Sequence, residues 1–420
     1  MTSVLQDAPT MDVRRSDPEF QRDGYAVWDR IRETGPVVYA PGPVGGPSPM
    51  PLDDAYLVTR FATIRKVVGN PKKFPQVPGM VEAAFGDQTF EAIEDPHRHG
   101  EIRGIWSNEF QRGTLAEKRT GLVESVVRQY LDPLVDRVLD GATTELLVAH
   151  DAVPISVMLS MLDLPLADRD QLHAWASSMS GEYVSATETV GGGVRSGTLE
   201  LRDYLSAVLI ERKRDLSVGR RHPESDLLSM MLGSEVAETM TESEIVANCT
   251  QLVFAGAGTT SSMLSACVVL LAQHPDQRRQ VVADRTLLDA AIEEVLRFRG
   301  PAHAAPPRLV ADGDADIEGY RIPEGAIVSP VLGAANRDPE RWENPAVFDI
   351  NRPARQHFAF GFGMHHCFGS SLARLQTKAY LDRLLDLVPA YVVDAEIDLS
   401  KDPFFGSVSA PIPSIPIARG

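Results

Sequence analysis

The segment FAFGFGMHHCFGSSLAR, from Phe358 to Arg374, joins a glycine-rich loop, a single cysteine and the start of an amphipathic helix. The glycines at 361, 363 and 369 let the backbone turn tightly and approach a flat ligand closely. Cys367 is predicted to lie where the helix begins, and the positive end of a helix dipole favours a thiolate over a thiol. An anionic sulfur in this position suits iron, and it pushes electron density onto the metal so that O–O cleavage is favoured.

Two other interpretations of this loop remain open from the residues alone. Cys367 could be a buried structural cysteine in a turn, which is the usual outcome for a bare Gly-Cys pattern. A zinc site built from His365, His366 and Cys367 is a further option. Adjacent residues converge poorly on one tetrahedral metal, and the sequence has no C-x-x-C pair or distant Cys/His cluster to complete such a site.

The same loop is similar to the cysteine-ligand loop of the cytochrome P450 family, F-x-x-G-x-x-x-C-x-G. Phe360, Gly363, Cys367 and Gly369 match its defined positions. The resemblance implies that haem b (iron protoporphyrin IX) binds here, with Cys367 as the metal ligand and Phe360 and Gly369 against the cofactor. Three further motifs of the family follow the same order along the chain.

The first of these motifs is Glu294-Val295-Leu296-Arg297, which resembles the E-x-x-R pair of the family. Side chains three residues apart share a helix face, so the carboxylate and the guanidinium can pair. Taken alone, such a pair is usually a solvated salt bridge. The run Phe348–Arg352, FDINR, resembles the family's F-D-x-x-R, and we expect Arg352 to be the third member of this structural network.

The second motif is Asp95-Pro96 followed by His99 and Arg103, similar to the D-P-x-x-H-x-x-x-R of the family. The spacing of four places His99 and Arg103 on one helix face, where both can reach the anionic propionates of a haem. The resemblance adds Arg308 and His365 as further propionate partners. Each of these residues would, in isolation, more often be an ordinary surface residue.

The third motif is AGAGTT, from Ala255 to Thr260, which resembles the A-G-x-[DE]-T-[TS] of the family. Its two glycines weaken a helix locally and permit a kink or a widened groove, although close helix packing explains them equally well. The resemblance makes Thr259 the catalytic hydroxyl that steers proton delivery to dioxygen, with Ala255 beside the haem. Gly258 stands where the family has an acid, so proton delivery must use water or another acid, or is impaired.

The pattern of elements predicts a mainly α protein with small β-sheets, and the resemblance implies the cytochrome P450 fold. Apolar spacing predicts an N-terminal amphipathic helix with Phe20, Trp28 and Ile31 on its apolar face, and helices from Phe61 to about Phe298. One of these, from about Glu242 to Leu271, would be about 45 Å long. Short strands follow Pro301, and a final helix runs from Cys367 to Val388. We expect one large domain over residues 1–420, with a short flexible N-terminus of about 16 residues.

Composition and charge indicate the cellular compartment of the protein and exclude some classes of binding partner. A chain with 43% hydrophobic and 24% charged residues can bury a large core. The sequence has no uniformly apolar run of roughly 18 to 20 residues and no apolar leader at its start, and its three cysteines do not resemble a disulfide framework. A formal net charge of −17 disfavours nucleic acid and anionic membranes as partners. A cytoplasmic protein is therefore expected, and the resemblance is to the soluble bacterial members of the family.

The resemblance implies an oxidoreductase, a haem-thiolate monooxygenase that inserts one atom of O2 into a small or medium apolar molecule by hydroxylation or O-demethylation. Electrons would come from a separate ferredoxin- or flavodoxin-type donor with an NAD(P)H reductase. An H2O2-driven peroxygenase is the alternative that Gly258 suggests, and a non-catalytic haem-binding sensor is a third reading. The predicted substrate pocket includes Phe254, Ala255, Ala302 and Val408. Residues 77–93 and 190–194 are expected to form a mobile entrance.

Overall fold

The structure is a computed structural model that describes residues 6–13, 19, 22–41, 54–185, 196–399 and 412–420. These residues are mostly helical, as the sequence predicts. The α-helices of the described ranges are α1 (Gly24–Thr34), α2 (Phe61–Val68), α3 (Met80–Phe85), α4 (Pro96–Ser107), α5 (Arg112–Lys118), α6 (Thr120–Leu139), α7 (Leu147–Leu162), α8 (Arg169–Ser185), α9 (Ser196–Ser217), α10 (Leu227–Leu232), α11 (Glu242–Gln273), α12 (Pro275–Ala283), α13 (Leu288–Arg299), α14 (Leu332–Ala335) and α15 (Ser370–Leu387).

Within the described residues, the strands form three small sheets. They are β1 (Gln6–Asp7), β2 (Val38–Pro41), β3 (Asp54–Val58), β4 (Thr144–Glu145), β5 (Arg308–Leu309), β6 (Ala315–Ile317), β7 (Tyr320–Ile322), β8 (Ile327–Pro330), β9 (Tyr391–Val393) and β10 (Pro416–Arg419). The sheet orders are β2-β3-β8-β5, β1-β7-β6 and β4-β10-β9. In the first sheet Arg308 pairs with Val328 at the start of β5, which fixes the position of this arginine.

Helix α11 is the longest helix of the described ranges, with 32 residues and a length of about 48 Å. Thr241 and Glu244 form a capping box at its start, which satisfies two of the free amides there. The helix is long and apolar enough to pass a length-and-hydropathy test for a membrane span, but 67% of that apolar window is buried inside the protein. It packs against α7 and α15, as a central core helix does.

The predicted element ends differ from the structure by a few residues. The final helix begins at Ser370, so Cys367 lies in the turn before it and not at its first residue. The AGAG stretch is uninterrupted α-helix, without the break that its two glycines would permit. In the N-terminal helix Trp28 and Ile31 are fully buried, whereas Phe20 lies outside the described residues.

The core consists of one large cluster among the helices and two smaller ones. The large cluster includes apolar residues of α6, α7, α11, α13 and α15. A second cluster joins α2 to the strands around Val328, and a third places Trp28 of α1 against β2 and β3. The cysteine loop connects the first two clusters, because Ala359 belongs to one and Phe358 to the other.

Glu294 and Arg297 form a buried ion pair with side-chain exposures of 4% and 1%. Both guanidinium contacts to the carboxylate are 2.7 Å long. Arg297 also donates to the carbonyl oxygens of Asn336, Pro345 and Val347, three points of the segment that leads to the cysteine loop. Arg352 Nε lies 3.4 Å from the Glu294 carboxylate and completes the cluster.

We expect Glu294→Ala to destabilise the protein by about 3 to 5 kcal/mol, because it leaves the Arg297 charge buried without a counter-ion. Asp132→Ala is the matched control, since it removes the carboxylate of the Arg383–Asp132 pair, which is partly exposed. That control should cost no more than about 1 kcal/mol. Chemical unfolding of both variants measures the difference, and equal effects would contradict a structural role for the buried pair.

Candidate functional site

The cysteine loop is held in one conformation by its own backbone. Cys367 N donates to Phe360 O at 2.8 Å, which closes the loop in front of α15. Gly361 and Gly363 have φ angles of 69° and 76°, in the left-handed region that favours glycine. The loop glycines at 361 and 363 are therefore required by backbone geometry, and Cys367 is presented from a rigid turn.

Burial, more than any nearby charge, controls the Cys367 thiol. Loss of solvent raises the pKa of Cys367 to about 11, although the Gly369 amide and the charges of Arg103 and Arg374 oppose this rise. Backbone and nearby cations therefore favour the thiolate, as the sequence predicts, but burial opposes them. A bound metal ion removes this penalty, since a coordinating thiol is deprotonated by the metal.

His99 and His365 face each other across the edge of the site. The His99 side chain is buried, and its Nδ1 lies 2.8 Å from Phe90 O. The ring centroids of His99 and His365 are 5.0 Å apart in an edge-to-face arrangement. Burial lowers the pKa of His99. His99 is thus a neutral donor or acceptor at neutral pH, and its Nε2 is directed away from Phe90.

The two predicted arginines approach the same region from different elements. Arg308 is 1% exposed, and its guanidinium lies 3.4 Å from Glu94 Oε1. Arg103, on α4, donates to His366 O at 2.9 Å and stacks on Phe368 at 5.0 Å from the ring centroid. Burial lowers the pKa of both arginines, but they remain cationic at neutral pH.

Several buried nitrogen atoms of this group make no hydrogen bond to the described residues: His99 Nε2, Arg308 Nε and His365 Nδ1, while His365 Nε2 has only Glu94 Oε2 at 3.5 Å. Buried donors without a partner are costly and uncommon in folded proteins. The carboxylates of an anionic ligand would satisfy them, and haem has two such groups at one edge. The donor set at this edge therefore fits haem propionates.

The opposite wall of the site is a short part of α11. Most of this helix is buried, but Ala255 is exposed and Phe254, Gly258 and Thr259 are half-buried, which marks the face turned to the cavity. Thr259 Oγ1 donates to Ala255 O at 2.9 Å. The Glu91 carboxyl interacts electrostatically with Gln251 of α11 and with Cys367, so it lies between α11 and the cysteine loop.

The two glycines of the AGAG stretch have different surroundings. A Cβ atom on Gly256 would lie 2.8 Å from Met158 Cε, so this glycine serves close packing of α11 on α7. A Cβ atom on Gly258 would meet no atom of the described residues within 4 Å. Space at position 258 therefore does not prevent an acidic side chain there.

The predicted pocket residues lie partly around the same cavity. Phe254 packs edge-to-face on Phe85 of α3, with ring centroids 5.5 Å apart. Ala302 is half-buried in the segment between α13 and β5. Val408 and residues 190–194 lie outside the described residues. Residues 77–93 contain α3 and a short 3-10 helix, and Asn248 of α11 anchors them by accepting from Phe90 N at 2.9 Å.

Two charged residues of the site were missed by the sequence analysis. Arg374 binds both carboxylate oxygens of Glu293, at 2.5 and 2.9 Å, and stacks on Phe360 at 4.4 Å from the ring centroid. It thereby fastens the cysteine loop to α13. Glu94, which directly precedes the Asp95-Pro96 motif, lies between Arg308 and His365. Both residues adjoin a recognised motif, which could have drawn attention to them. Their contact partners, however, are distant in sequence and could not be identified from it.

The family model and the similar proteins all indicate the same family. The family model described as Cytochrome P450 matches residues 195–387. Vitamin D3 dihydroxylase of Streptomyces griseolus is 32% identical over 400 residues, which cover 92% of this chain and 91% of the relative. Cytochrome P450 monooxygenase PikC of Streptomyces venezuelae is 31% identical over 397 residues, covering 92% and 89%.

Solved structures show the same fold. P450BioI, in complex with an acyl carrier protein ligated to hexadec-9Z-enoic acid, has a TM-score of 0.80 and 26% identity, and the match covers 96% of this chain and 100% of that one. The tirandamycin C-bound P450 monooxygenase TamI has a TM-score of 0.79 and 26% identity, covering 98% and 100%. The predicted fold class is thus confirmed.

We expect Cys367→Ser to abolish the thiolate-type Soret band of the reduced, carbon-monoxide-bound protein, because serine offers iron no soft anionic sulfur. Cys249→Ser is the matched control, since Cys249 is fully buried on α11 among apolar residues. The control should keep that band. A thiolate-type band that survives in Cys367→Ser would show that another residue binds the iron.

Proposed function

Because the chain belongs to the cytochrome P450 family, whose members bind haem b through a cysteine thiolate, we propose that Cys367 is the axial ligand of a haem-thiolate monooxygenase. The substrate proposed is a small or medium apolar molecule, which is hydroxylated or O-demethylated. A single observation carries the assignment. The rigidly held Cys367 lies beside a group of buried, unpartnered donors that suits the two carboxylates of haem.

The bound haem supplies the activation of dioxygen, which no amino-acid side chain provides. The residues of the chain hold and orient it. Cys367 contributes the sulfur, and the backbone bond to Phe360 O fixes the direction of approach. His99, Arg103, Arg308 and His365 are the proposed partners of the haem carboxylates, and their burial strengthens these contacts because the surroundings exclude water.

Thr259 is the proposed proton-handling group on the cavity side of α11. Its hydroxyl hydrogen is donated to Ala255 O, so the lone pairs of Thr259 Oγ1 are free to accept a hydrogen bond from water in the cavity. Gly258 contributes no acid. Since position 258 has open space, a water molecule there is the proposed link between Thr259 and the bulk solvent.

The substrate class follows from the residues around the cavity-facing part of α11. Phe85, Phe254, Ala255 and Ala302 are all apolar, and the carboxyl group near them, that of Glu91, has a pKa that burial raises. An apolar substrate is held in such a pocket by burial of its surface. A relative named vitamin D3 dihydroxylase supports the same class.

The proposed electron donor is a separate ferredoxin- or flavodoxin-type protein with an NAD(P)H reductase, and the proposed compartment is the cytoplasm. The matches to P450BioI and TamI cover 96% and 98% of this chain, which assigns almost all of these residues to the haem-binding fold. The three cysteines are free thiols, two of them fully buried, as expected in a reducing compartment.

A second candidate is an H2O2-driven peroxygenase, and Gly258 is the observation that favours it. Peroxide brings both the electrons and the protons that the reaction requires, so an acid at position 258 is then unnecessary. A non-catalytic haem sensor is favoured less, because Thr259 lies on the cavity face of α11, where its hydroxyl can take part in proton delivery.

We expect Thr259→Ala to lower the product formed per NAD(P)H oxidised by about tenfold or more, because the hydroxyl that carries the proton is lost. Thr260→Ala is the control, since Thr260 is buried on the other side of the helix. The assay uses a ferredoxin and its reductase with a panel of apolar substrates. Unchanged coupling in Thr259→Ala, or no product from the unaltered protein with any substrate, would contradict the proposal.

We expect Gly258→Asp to raise the product per NAD(P)H oxidised, because it places a carboxylic acid in open space beside Thr259. Gly258→Asn has nearly the same shape without the acid and should give no gain. Peroxide-driven turnover should not rise in either variant. If both variants gain equally, side-chain shape rather than proton supply is responsible, and if only peroxide supports turnover, the peroxygenase is favoured.

A further inference from the structure

A carboxylate that the known family motifs do not include lies among the proposed haem partners. Glu94 Oε1 accepts from Gln76 N at 2.7 Å and lies 3.4 Å from the Arg308 guanidinium. Glu94 Oε2 lies 3.5 Å from His365 Nε2, which is long for a hydrogen bond. Glu94 therefore contacts two of the four side chains that are proposed to hold the haem carboxylates.

The contacts of this cluster are incomplete. Glu94 Oε2 and His365 Nε2 are buried and have only each other, at a long 3.5 Å, while Arg308 Nε and His365 Nδ1 make no hydrogen bond to any described residue. A protein-only cluster would saturate these groups, because unsatisfied buried charge is costly. The unused hydrogen-bonding capacity of Arg308 and His365, on either side of Glu94, indicates that a further ligand binds beside Glu94.

Glu94 carries its negative charge at neutral pH. Burial by itself would raise the pKa of Glu94, but His365, the amide of Gln76 and Arg308 together lower it. Arg308 is the nearest fixed cation, and it is almost completely buried. A haem carboxylate at this edge must therefore share the charge of Arg308 with a carboxylate of the protein.

We propose that Glu94 is a fixed negative charge at the haem edge that competes with a haem carboxylate for Arg308 and His365. Two consequences follow from Coulomb's law in a poorly solvated site. The negative charge of Glu94 repels the electron that is added when the iron is reduced, so Glu94 lowers the reduction potential of the iron. The haem is also held less tightly, because part of the Arg308 charge is already neutralised. This inference needs haem binding but not monooxygenase activity.

Glu94→Gln tests the proposal in the purified haem-loaded protein. Glutamine keeps an oxygen that can accept from Gln76 N, but it removes the charge. Glu101→Gln is the matched control, since Glu101 is an exposed acid of α4 that pairs with His97 and Arg98. The readouts are the midpoint potential, from a spectroscopic redox titration, and the rate of haem transfer to excess apomyoglobin.

The expected result is a more positive midpoint potential and a severalfold slower haem transfer in Glu94→Gln, with Glu101→Gln close to the unaltered protein in both. A potential in Glu94→Gln that equals that of Glu101→Gln would overturn the proposal, since the charge would not act on the iron. Faster haem loss, or failure to take up haem, would overturn it as well, because Glu94 would then be a structural clamp and not a competitor.

Discussion

The chemistry of this protein depends on a cysteine held where a free thiolate is unstable. Burial raises the pKa of Cys367 to about 11, while the backbone bond to Phe360 O prevents the loop from moving the sulfur into solvent. The Gly369 amide, Arg103 and Arg374 favour the anion but offset only part of this effect. A metal ion that binds the sulfur supplies the further stabilisation that the thiolate needs.

The remainder of the structure supports that position from several sides. Arg374 ties the loop to α13 through Glu293, and Arg297 ties the preceding segment to the same helix through three carbonyl oxygens. The neighbouring residue Glu294 neutralises Arg297 in a nearly solvent-free place. Two adjacent glutamates of one helix thus hold both ends of the segment that carries the cysteine. Movement of α13 would displace the sulfur, which makes stability and metal ligation interdependent.

The sequence predicted the parts of the site that are local. Cys367, the left-handed glycines before it and the pairing of Glu294 with Arg297 follow from spacing within one loop or one helix turn. The long helix was predicted to within two residues at its C-terminal end. Properties that depend on tertiary packing could not be read in this way. The pKa of Cys367 depends on burial, and Glu94 meets Arg308 across 214 positions of the chain. Gly256 and Gly258 look equivalent in sequence, yet one contacts Met158 and the other borders open space.

The bond between iron and the sulfur of Cys367 is the central claim, and X-ray absorption at the iron edge of the haem-loaded protein tests it most directly. We expect nitrogen neighbours from the porphyrin and one sulfur neighbour from Cys367. A coordination shell made of nitrogen and oxygen alone would contradict the claim, because Cys367 would then not bind the iron.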